Sequence, residues 1–565
     1  MKKTFFDLIN SIEHTLVRAD GEKLAEASFN PEISHIAFDS RDVSSGTIFF
    51  ALPGTHTTGN VYIPQAIKAG AAAIVFQDEL EPATVEKIKS ELSARKESVA
   101  FVKVPDARFA MAPLSACFYD NPSKKLGIIG VTGTEGKSST VSFVWQLLRL
   151  TGHKAGFIST VQYSEGGDAI ANPEHQTTPE APIIQKRLYE MVNNGCEYAV
   201  IESSSHGLSP KTNRTGCIDY DCGIFMNVTL EHLEFHKTFE QYRDDKANLF
   251  RKLDENDHEK TILGKKVKVP AFGIVNLEDE SAKYFINATK QPVIGFTTEG
   301  KAGKSAAENG TAAKPLPPIP DQLPVLLARN IASARYGMTF DLSEPNVIDT
   351  NAKPLPRKVI HVKTSLPGAF NTYNVMAAMS AVSRLTGTSL DTVAELASKL
   401  VPVKGRMTVI DKGQPFEVIV DYAHTPSSFE TIFPPIRHRC AGRMIALFGS
   451  GGERDTEKRP LQGQVAAHFC DVVILTDEDP RGEDPVELLK QIAVGAEKAG
   501  MKMGENLFIT HERPEAIRQA LKMAKKDDIV LLLGKSHENS IIYKDHVMPY
   551  DEIKEAEKAL SELGF

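Results

Sequence analysis

The stretch Leu126–Ser139, which reads LGIIGVTGTEGKSS, decides the fold of this 565-residue chain. Its first half is a short apolar, β-branched run that predicts a buried strand. A glycine-containing turn follows, and after it apolar residues recur at the spacing of a helix. Such a turn presents backbone N–H groups to phosphate, with Lys137 suited to the β- and γ-phosphates and Ser138 to Mg²⁺. The strict pattern has glycine where Val131 stands, and the strand-turn-helix context predicts a phosphate loop.

Six further apolar runs end in the same way, with polar or glycine residues directly after them. Helical patterns separate the runs, which predicts parallel sheets covered on both faces. Ligands bind beyond the carboxyl ends of the strands in such sheets, so the polar residues there are site candidates. With the first run, the predicted strands are 126–131, 198–201, 222–226, 416–420, 444–448, 471–475 and 528–533.

Three blocks are predicted as domains: residues 1–122, 123–404 and 405–565. The first reads as an α/β unit of its own, the second begins at the phosphate loop, and the third contains four of the predicted strands. Residues 297–320 of the middle block are rich in Ala, Gly, Lys and Pro. That composition predicts a solvated loop outside the core.

Composition and charge narrow the class of protein. The chain is 41% hydrophobic and 24% charged with a net charge of −8, a globular profile without a broad basic surface for nucleic acid. Its six cysteines form no C-x-x-C pair, which fits a reducing compartment. No run approaches a membrane span, and the first residues lack a signal-peptide pattern. We expect a cytoplasmic, monomeric enzyme with small-molecule substrates that binds neither nucleic acid nor membrane.

The motifs from the phosphate loop to the C-terminus resemble those of the Mur ligase family, and most of all the branch that adds the third residue of the peptidoglycan stem peptide. The N-terminal block fits as well, with D-S-R followed by F-x-A-L-P-G. The resemblance implies a three-domain α/β fold, with a central phosphate-loop parallel-sheet domain and a Rossmann-like C-terminal domain. The matching motifs lie at 39–41, 49–54, 177–179, 202–206, 231–236, 245–250, 370–374, 405–407, 421–426, 451–455, 458–460, 479–485 and 534–538.

The resemblance also implies a reaction. An ATP- and Mg²⁺-dependent ligase of this branch adds a diamino acid to UDP-N-acetylmuramoyl-L-alanyl-D-glutamate through an acyl phosphate. The N-terminal domain would bind the UDP end, the central domain ATP, and the C-terminal domain the amino acid. We favour meso-diaminopimelate as that amino acid, and lysine and ornithine remain open.

Each site carries over residue by residue. The implied catalytic residues are Lys137, Glu202, His232 and Lys246. The implied metal ligands are Ser138, Glu202, His232 and Lys246, the last as N6-carboxylysine. The implied ATP-binding residues are Gly133, Thr134, Glu135, Gly136, Lys137, Ser138, Ser139, Asn374, Arg406 and Asp421. The implied precursor-binding residues are Ser40, Thr55, His56, Thr57, Thr177, Thr178, Ser204 and Arg214. The implied amino-acid-binding residues are Arg454, Glu478, Asp479, Pro480, Arg481, Gly534 and Glu538.

These residue types suit the activation of a carboxylate. Phosphorylation gives the carboxylate a leaving group, and an amine then displaces phosphate. Two anionic reactants must meet, which requires cations and N–H donors for the developing charge and hard oxygen ligands for the metal. A carbamate formed from Lys246 and CO₂ would replace a cation by an anion near Mg²⁺. We expect His206, His236 and His537 to be structural hydrogen-bonding residues.

Several positions depart from the family pattern. Glu135 and Gln176 each stand where asparagine is usual, two extra residues precede Arg214, and Glu478-Asp479 replaces Asp-Asn. The acceptor signals conflict, because Arg481 suits a distal carboxylate, whereas Glu478 and Asp479 could neutralise this arginine and an acidic pocket suits a distal ammonium. Two alternatives stay open: a divergent Mur-type amide ligase with another substrate, and a nucleotide-controlled binding module without catalysis.

Overall fold

The computed structural model describes residues 1–24, 29–54, 58–174, 176–229, 231, 233–298, 323–334, 336–343, 358–453 and 455–565. Of the predicted solvated loop at 297–320, only 297–298 are described, and they end a strand; the remainder lies outside the described residues. Within the described ranges no helix is both long and apolar enough to cross a membrane.

The N-terminal part contains a five-stranded sheet in the order β2-β7-β6-β5-β4, parallel except for the pairing of β2 with β7. Apolar side chains pack on both faces of this sheet. Its elements are β1 (Lys3–Thr4), α1 (Phe5–Ile9), β2 (Thr15–Val17), β3 (Glu32–Ile33), β4 (His35–Ala37), β5 (Thr47–Phe50), α2 (Ile63–Ala69), β6 (Ala73–Phe76), α3 (Pro82–Ser93), β7 (Ala100–Lys103) and α4 (Ala107–Phe118).

The central part is built on an eleven-stranded sheet in the order β11-β10-β9-β12-β8-β13-β16-β17-β18-β19-β20. Its elements up to residue 251 are β8 (Gly127–Thr132), α5 (Lys137–Leu150), β9 (Ala155–Ile158), β10 (Gln162–Ser164), β11 (Ile170–Ala171), α6 (Ala181–Asn193), β12 (Tyr198–Glu202), α7 (Ser205–Leu208), β13 (Cys222–Phe225), α8 (Leu233–His236) and α9 (Phe239–Arg251). The elements after that residue are β14 (Glu259–Ile262), β15 (Lys265–Lys268), β16 (Phe272–Asn276), α10 (Ala282–Ile286), β17 (Val293–Thr298), β18 (Val325–Ala334), β19 (Gly337–Ser343), β20 (Val359–Thr364), α11 (Asn371–Thr386) and α12 (Leu390–Ala397).

In the spatial order of this sheet, the neighbouring strands from β9 through β12, β8, β13, β16 and β17 to β18 pair in parallel. The strands at both ends of the sheet pair antiparallel. The prediction of a parallel sheet is therefore confirmed for the interior, and the antiparallel edges are additional. Buried apolar clusters cover both faces, as expected for a parallel sheet.

The C-terminal part has a six-stranded sheet in the order β21-β22-β26-β23-β24-β25, parallel except for β21. Helices cover both faces, as in a Rossmann-like domain. Its elements are β21 (Thr408–Ile410), β22 (Glu417–Asp421), α13 (Pro426–Arg439), β23 (Met444–Phe448), α14 (Lys458–Phe469), β24 (Val472–Leu475), α15 (Pro485–Lys498), β25 (Leu507–Ile509), α16 (Arg513–Met523), β26 (Ile529–Leu533), β27 (Ser540–Ile542), β28 (Val547–Pro549) and α17 (Glu552–Glu562).

All seven strands predicted from the sequence are present. In the central sheet, β8 lies between β12 and β13, so that Glu202 is level with Val131 and Phe225 with Thr132. The residues that follow these three strands therefore meet at one edge of the sheet.

Candidate active site

The predicted phosphate loop joins β8 to α5. Gly136 occupies the cap position of α5 with a φ of +83°, and a Cβ there would lie 2.6 Å from Asn374 Oδ1. Both the left-handed backbone and the close approach favour glycine. The Lys137 ammonium donates to the Thr134 carbonyl oxygen at 2.7 Å, so the lysine lies against the loop.

Asn227 holds the loop from the end of the neighbouring strand, and the sequence did not single it out. Its Oδ1 accepts from the backbone N–H groups of Thr134 at 3.1 Å and Glu135 at 2.8 Å. Its Nδ2 donates to the Glu135 carbonyl at 3.3 Å, and its own carbonyl accepts from Thr134 N at 2.9 Å. The signal was an asparagine directly after a predicted strand, but its role depends on β13 pairing with β8.

Glu202 ends β12 beside the loop, and its side chain is buried. Ser138 Oγ donates to Glu202 Oε1 at 3.0 Å, and Thr160 N donates to Oε2 at 2.8 Å. Arg406 of the C-terminal part reaches the same serine, with Nη2 at 3.5 Å from Ser138 Oγ. The structure thus brings together three predicted residues from two domains.

Lys246 extends from α9 to the phosphate loop, and only 2% of the residue is exposed. Its Nζ donates to the Gly133 carbonyl at 2.6 Å and lies 4.5 Å from the centre of the Tyr242 ring. It forms no ion pair with a described residue. Burial, aided by the charge of Lys137, lowers the pKa of Lys246 well below its usual range, which favours the neutral amine.

Glu135, the departure within the loop, is half-buried. Burial and the nearby Glu231 carboxylate raise the pKa of Glu135 to about 7, although Lys137 and Arg406 oppose the shift. A carboxyl group with this pKa is divided between its neutral and charged forms near neutral pH.

The remaining predicted nucleotide residues lie in two groups. Asn374, on α11, contacts the loop helix through Thr140 Oγ1 at 3.2 Å. Asp421 accepts from Met407 N and Ala423 N, both at 2.8 Å, and therefore fixes the turn next to Arg406. Burial raises the pKa of Asp421, and the Arg406 charge opposes that shift.

The predicted precursor residues of the central domain surround the end of β12. Thr178 Oγ1 donates to the Glu202 carbonyl at 2.8 Å and accepts from Ser204 N at 2.9 Å. Arg214 Nη1 donates to the Thr178 carbonyl at 3.0 Å, and Nη2 lies 3.0 Å from Glu180 Oε1. Thr177 precedes this cluster and is half-buried.

The other predicted residues of the precursor and metal sites, and one of the acceptor site, are Ser40 and five residues that the structure does not describe. Ser40 lies in the N-terminal part, in the short 3₁₀ helix Ser40–Asp42. The predicted residues Thr55, His56, Thr57, His232 and Arg454 lie outside the described residues.

The predicted acceptor residues lie at the carboxyl edge of the C-terminal sheet. Asp479 Oδ1 accepts from Lys535 Nζ at 2.8 Å and from Ile542 N at 2.9 Å. Lys535 also pairs with Glu538, whose Oε1 accepts from the Tyr422 hydroxyl at 3.2 Å. Lys535 is a second residue that the sequence did not single out, because its partner is 56 positions away in the chain.

Arg481 and Glu478 are arranged differently from Asp479. Arg481 forms no ion pair with any residue of the described ranges, and its Nε is buried without a hydrogen-bond partner. Glu478 Oε2 is also buried without such a partner, and it would lie 2.9 Å from a Cβ at Gly534. Pro480 packs so tightly that a Cβ at Gly452 would come 1.9 Å from its carbonyl oxygen.

The three histidines predicted to be structural are His206, His236 and His537. His236 is buried between Asp245 at 2.8 Å and Ser205 at 3.0 Å. The His206 ring lies 5.2 Å from that of His236. Burial, with the nearby Arg406 and Lys535 charges, lowers the pKa of His537 to about 3, so this ring is neutral at physiological pH.

Ser138 and Glu202 place two oxygen atoms side by side next to the phosphate loop. No group of three or more His, Cys, Asp or Glu side chains surrounds a common metal position in the part of the chain that the structure describes. Mg²⁺ is usually held by one or two protein oxygens together with substrate phosphates, and the residues present fit that mode of binding.

The fold and this site define the class of protein: a protein of three α/β domains with a glycine-containing strand-turn-helix loop, whose helix is contacted at Ser138 by Arg406 of the C-terminal domain. Three family profiles match the chain, namely the Mur ligase family catalytic domain at residues 32–119, the Mur ligase middle domain at 131–382 and the Mur ligase glutamate ligase domain at 405–536. The chain belongs to the Mur ligase family and is an ATP-dependent ligase.

Named relatives agree with this assignment. A UDP-N-acetylmuramyl-tripeptide synthetase of Treponema denticola is 49% identical over 98% of this chain and 94% of its own length. A UDP-N-acetylmuramoyl-L-alanyl-D-glutamate–2,6-diaminopimelate ligase of Geobacillus kaustophilus is 36% identical, covering 95% of this chain and 96% of its own. A solved structure of a ligase with the latter name is 25% identical with a TM-score of 0.54, covering 94% of this chain and 96% of that one. The prediction of the family and fold is confirmed.

Proposed function

We propose that this ligase adds a diamino acid to UDP-N-acetylmuramoyl-L-alanyl-D-glutamate, at the expense of ATP, during peptidoglycan synthesis in the cytoplasm. The names and extent of similarity of the relatives support this substrate class. We further propose that residues 1–122 bind the UDP end, residues 123–404 bind ATP, and residues 405–565 bind the amino acid. The enzyme would act as a monomer on small-molecule substrates.

The contacts around the phosphate loop support a role for each residue in forming the acyl phosphate. Loop N–H groups and Lys137 would bind the triphosphate, and Arg406 would neutralise charge from the opposite domain. Ser138 and Glu202 would hold Mg²⁺, with His232 from outside the described residues; the metal would supply positive charge to the phosphate oxygens. Asn374 and Asp421 would orient the rest of the nucleotide, and Thr178, Ser204 and Arg214 would position the precursor carboxylate.

Lys246 is proposed to carry a carbamate. Its burial and lowered pKa favour the neutral amine, which is the form that attacks CO₂: a C–N bond forms and the nitrogen loses one proton. The resulting anion would lie beside the phosphate loop, where the charges of Lys137 and Glu202 both act on Lys246, and it could orient a metal ligand or Lys137.

The observation that carries the acceptor assignment is the unpaired guanidinium of Arg481. The sequence left open whether Glu478 and Asp479 neutralise this arginine. In the structure Asp479 pairs with Lys535 instead, and Arg481 has no ion-pair partner among the described residues. A planar guanidinium suits the distal carboxylate of meso-diaminopimelate. The buried Glu478 carboxylate suits the distal ammonium, which diaminopimelate shares with lysine and ornithine, so it does not discriminate among them.

The experiment is a substrate panel of meso-diaminopimelate, lysine and ornithine, with phosphate release measured for the wild type and for Arg481→Ala. A charge-assisted contact to the distal carboxylate is worth about 1.5–3 kcal/mol, or roughly 10- to 150-fold. We expect Arg481→Ala to lose that factor with diaminopimelate and to change little with lysine or ornithine. Arg518→Ala, on the outer face of the same domain, is the matched control.

A wild-type preference for lysine or ornithine would overturn the choice of diaminopimelate while leaving the ligase assignment intact. Phosphate release that is independent of the precursor or of every diamino acid tested would overturn the proposed reaction and favour a nucleotide-controlled binding module.

A further inference from the structure

Arg108 and Arg214 share one carboxylate at the boundary between the N-terminal and central domains. Arg108 Nη1 lies 3.3 Å and Arg214 Nη2 lies 3.0 Å from the same atom, Glu180 Oε1. The side chains of Glu180 and Arg214 are 7% and 12% exposed, and that of Arg108 is 28% exposed. Two cations therefore face one anion in a largely dehydrated place, which leaves an excess of positive charge.

Hydrogen-bonding capacity is also left unused at this triad of Arg108, Glu180 and Arg214. Glu180 Oε2 and Arg214 Nε are both buried, and neither has a hydrogen-bond partner within the described ranges. Burial, together with the nearby Arg108 charge, lowers the pKa of Arg214, and Glu180 compensates only in part. Buried charges in proteins are normally paired, so the triad is suited to receiving a second anion.

The position of the triad indicates which anion is available. Arg108 Nη2 donates to the Pro53 carbonyl at 3.4 Å, at the start of the segment proposed to bind the UDP end. Arg214 Nη1 donates to the carbonyl of Thr178, whose hydroxyl donates to the Glu202 carbonyl. The triad therefore connects the first segment to the residues beside Glu202, and the precursor proposed to bind there carries a diphosphate and a free carboxylate besides the reacting one.

We propose that Arg108 of the N-terminal domain forms, with Arg214, a two-arginine clamp for an oxyanion of the UDP-linked precursor, and that Glu180 competes with that oxyanion for both guanidiniums. This proposal rests on the proposed function and assigns a substrate contact to a residue of the N-terminal domain. The oxyanion is the free carboxylate or the diphosphate of the precursor, which share this chemistry.

Two variants that break the same ion pair distinguish a substrate clamp from a structural tie, meaning an ion pair that only holds the two domains together. We expect Arg108→Met to raise the KM for the precursor about 10- to 100-fold, because a charge-assisted contact is lost, and to leave the KM for ATP unchanged. We expect Glu180→Gln to lower the precursor KM, because a competing anion is removed. Arg108→Lys keeps the charge without the planar fork, and its KM should fall between those of wild type and Arg108→Met.

Arg18→Met is the matched control, since Arg18 lies in the same domain, is 59% exposed and, among the described residues, forms an ion pair with the nearby Asp20. Thermal unfolding of every variant accompanies the kinetics. Equal rises in KM and equal losses of stability for Arg108→Met and Glu180→Gln would show a structural tie and overturn the clamp. An unchanged precursor KM in both Arg108 variants would overturn it as well.

Two ligands distinguish the sources of the oxyanion. A precursor containing 4-aminobutyrate in place of D-glutamate keeps the reacting carboxylate and lacks the free one. If the clamp binds that carboxylate, Arg108→Met will not weaken binding of this analogue; if it binds the diphosphate, the variant will weaken binding of the analogue and of UDP alike. Calorimetric binding of the precursor tests the clamp without turnover, so an inactive wild type that still binds the precursor would count against the proposed function alone.

Discussion

Asn227 and Glu135 are joined by two hydrogen bonds of opposite direction: Glu135 N donates to Asn227 Oδ1 at 2.8 Å, and Asn227 Nδ2 donates to the Glu135 carbonyl at 3.3 Å. One amide side chain therefore satisfies both backbone groups of the residue at the centre of the phosphate loop. Asn227 therefore holds the backbone of the loop, and the Glu135 side chain takes no part in these two hydrogen bonds.

Replacement of Asn227 by leucine should weaken ATP binding specifically. The substitution leaves loop N–H and C=O groups without partners at a cost of about 1–3 kcal/mol, which corresponds to roughly a 5- to 150-fold rise in the KM for ATP. Steady-state kinetics at saturating amino acid would measure it. Asn193→Leu, at the exposed end of α6, is the control. An ATP KM within twofold of wild type would show that the loop does not depend on Asn227.

Glu135 should make ATP binding sensitive to pH. Its carboxyl is neutral below its pKa of about 7 and becomes an anion beside the phosphates above it, so ATP affinity falls as pH rises through this value. The repulsion is worth at least about 1 kcal/mol, or fivefold. We expect the ratio of wild-type KM to Glu135→Gln KM to grow between pH 6 and pH 8.5. A constant ratio would mean that the carboxyl keeps one charge state throughout.

Lys246→Ala should be nearly inactive. Bicarbonate should not restore activity, because no amine remains to react with CO₂. Acetate at high concentration should restore part of it by placing a carboxylate where the carbamate stood. The direct measurement is electron density at the Lys246 tip in crystals equilibrated with bicarbonate. An unmodified ammonium there, clearly resolved, would refute the carbamate.

The pair formed by Arg459 and Glu483 should stabilise the C-terminal domain in a pH-dependent way. Arg459 is fully buried, and its guanidinium contacts both Glu483 oxygens at 2.8 Å. This hydrogen-bonded pairing lowers the pKa of Glu483 from 4.5 to about 2. Because the pKa is lowered on folding, the stabilisation is complete above about pH 5 and is lost as the pH falls towards 2.

We therefore expect Glu483→Gln to reduce the unfolding free energy by about 1.5–3 kcal/mol near neutral pH and by less at pH 3, where part of the stabilisation has already been lost. Urea unfolding at the two pH values would measure the difference, with the exposed Glu497→Gln on α15 as control. The pairing would have no net effect on stability if wild type and Glu483→Gln had equal midpoints at pH 7.

The sequence was sufficient for the seven predicted strands because each is a compact apolar run followed by polar or glycine residues. It did not reveal the antiparallel edges of the central sheet, although Val359–Thr364 alternates buried and exposed residues as an edge strand does. The order of strands in space was not available from these patterns. Roles that depend on this order, such as the support of the loop by Asn227, were therefore missed.

The acceptor site shows the same limitation in its charges. The sequence placed Arg481 beside two acids and predicted that they could neutralise one another. Adjacent side chains in a turn point in different directions, and Lys535, which lies two residues after β26, pairs with Asp479. Which acid pairs with which base depended on the three-dimensional arrangement, which leaves Arg481 without an ion-pair partner among the residues that the structure describes.

The contact between Arg406 and Ser138 has a kinetic consequence. Asp421 fixes the turn next to Arg406 within the C-terminal domain, whereas Ser138 belongs to the helix of the central domain. If Arg406 binds the nucleotide as proposed, it would leave the nucleotide whenever the two domains separate. We expect escape of ADP and separation of the domains to be one event. The lifetime of the state in which the two domains are in contact would then set the upper limit on the turnover rate. A compound that binds across this junction would act by prolonging the time that ADP stays bound after the reaction.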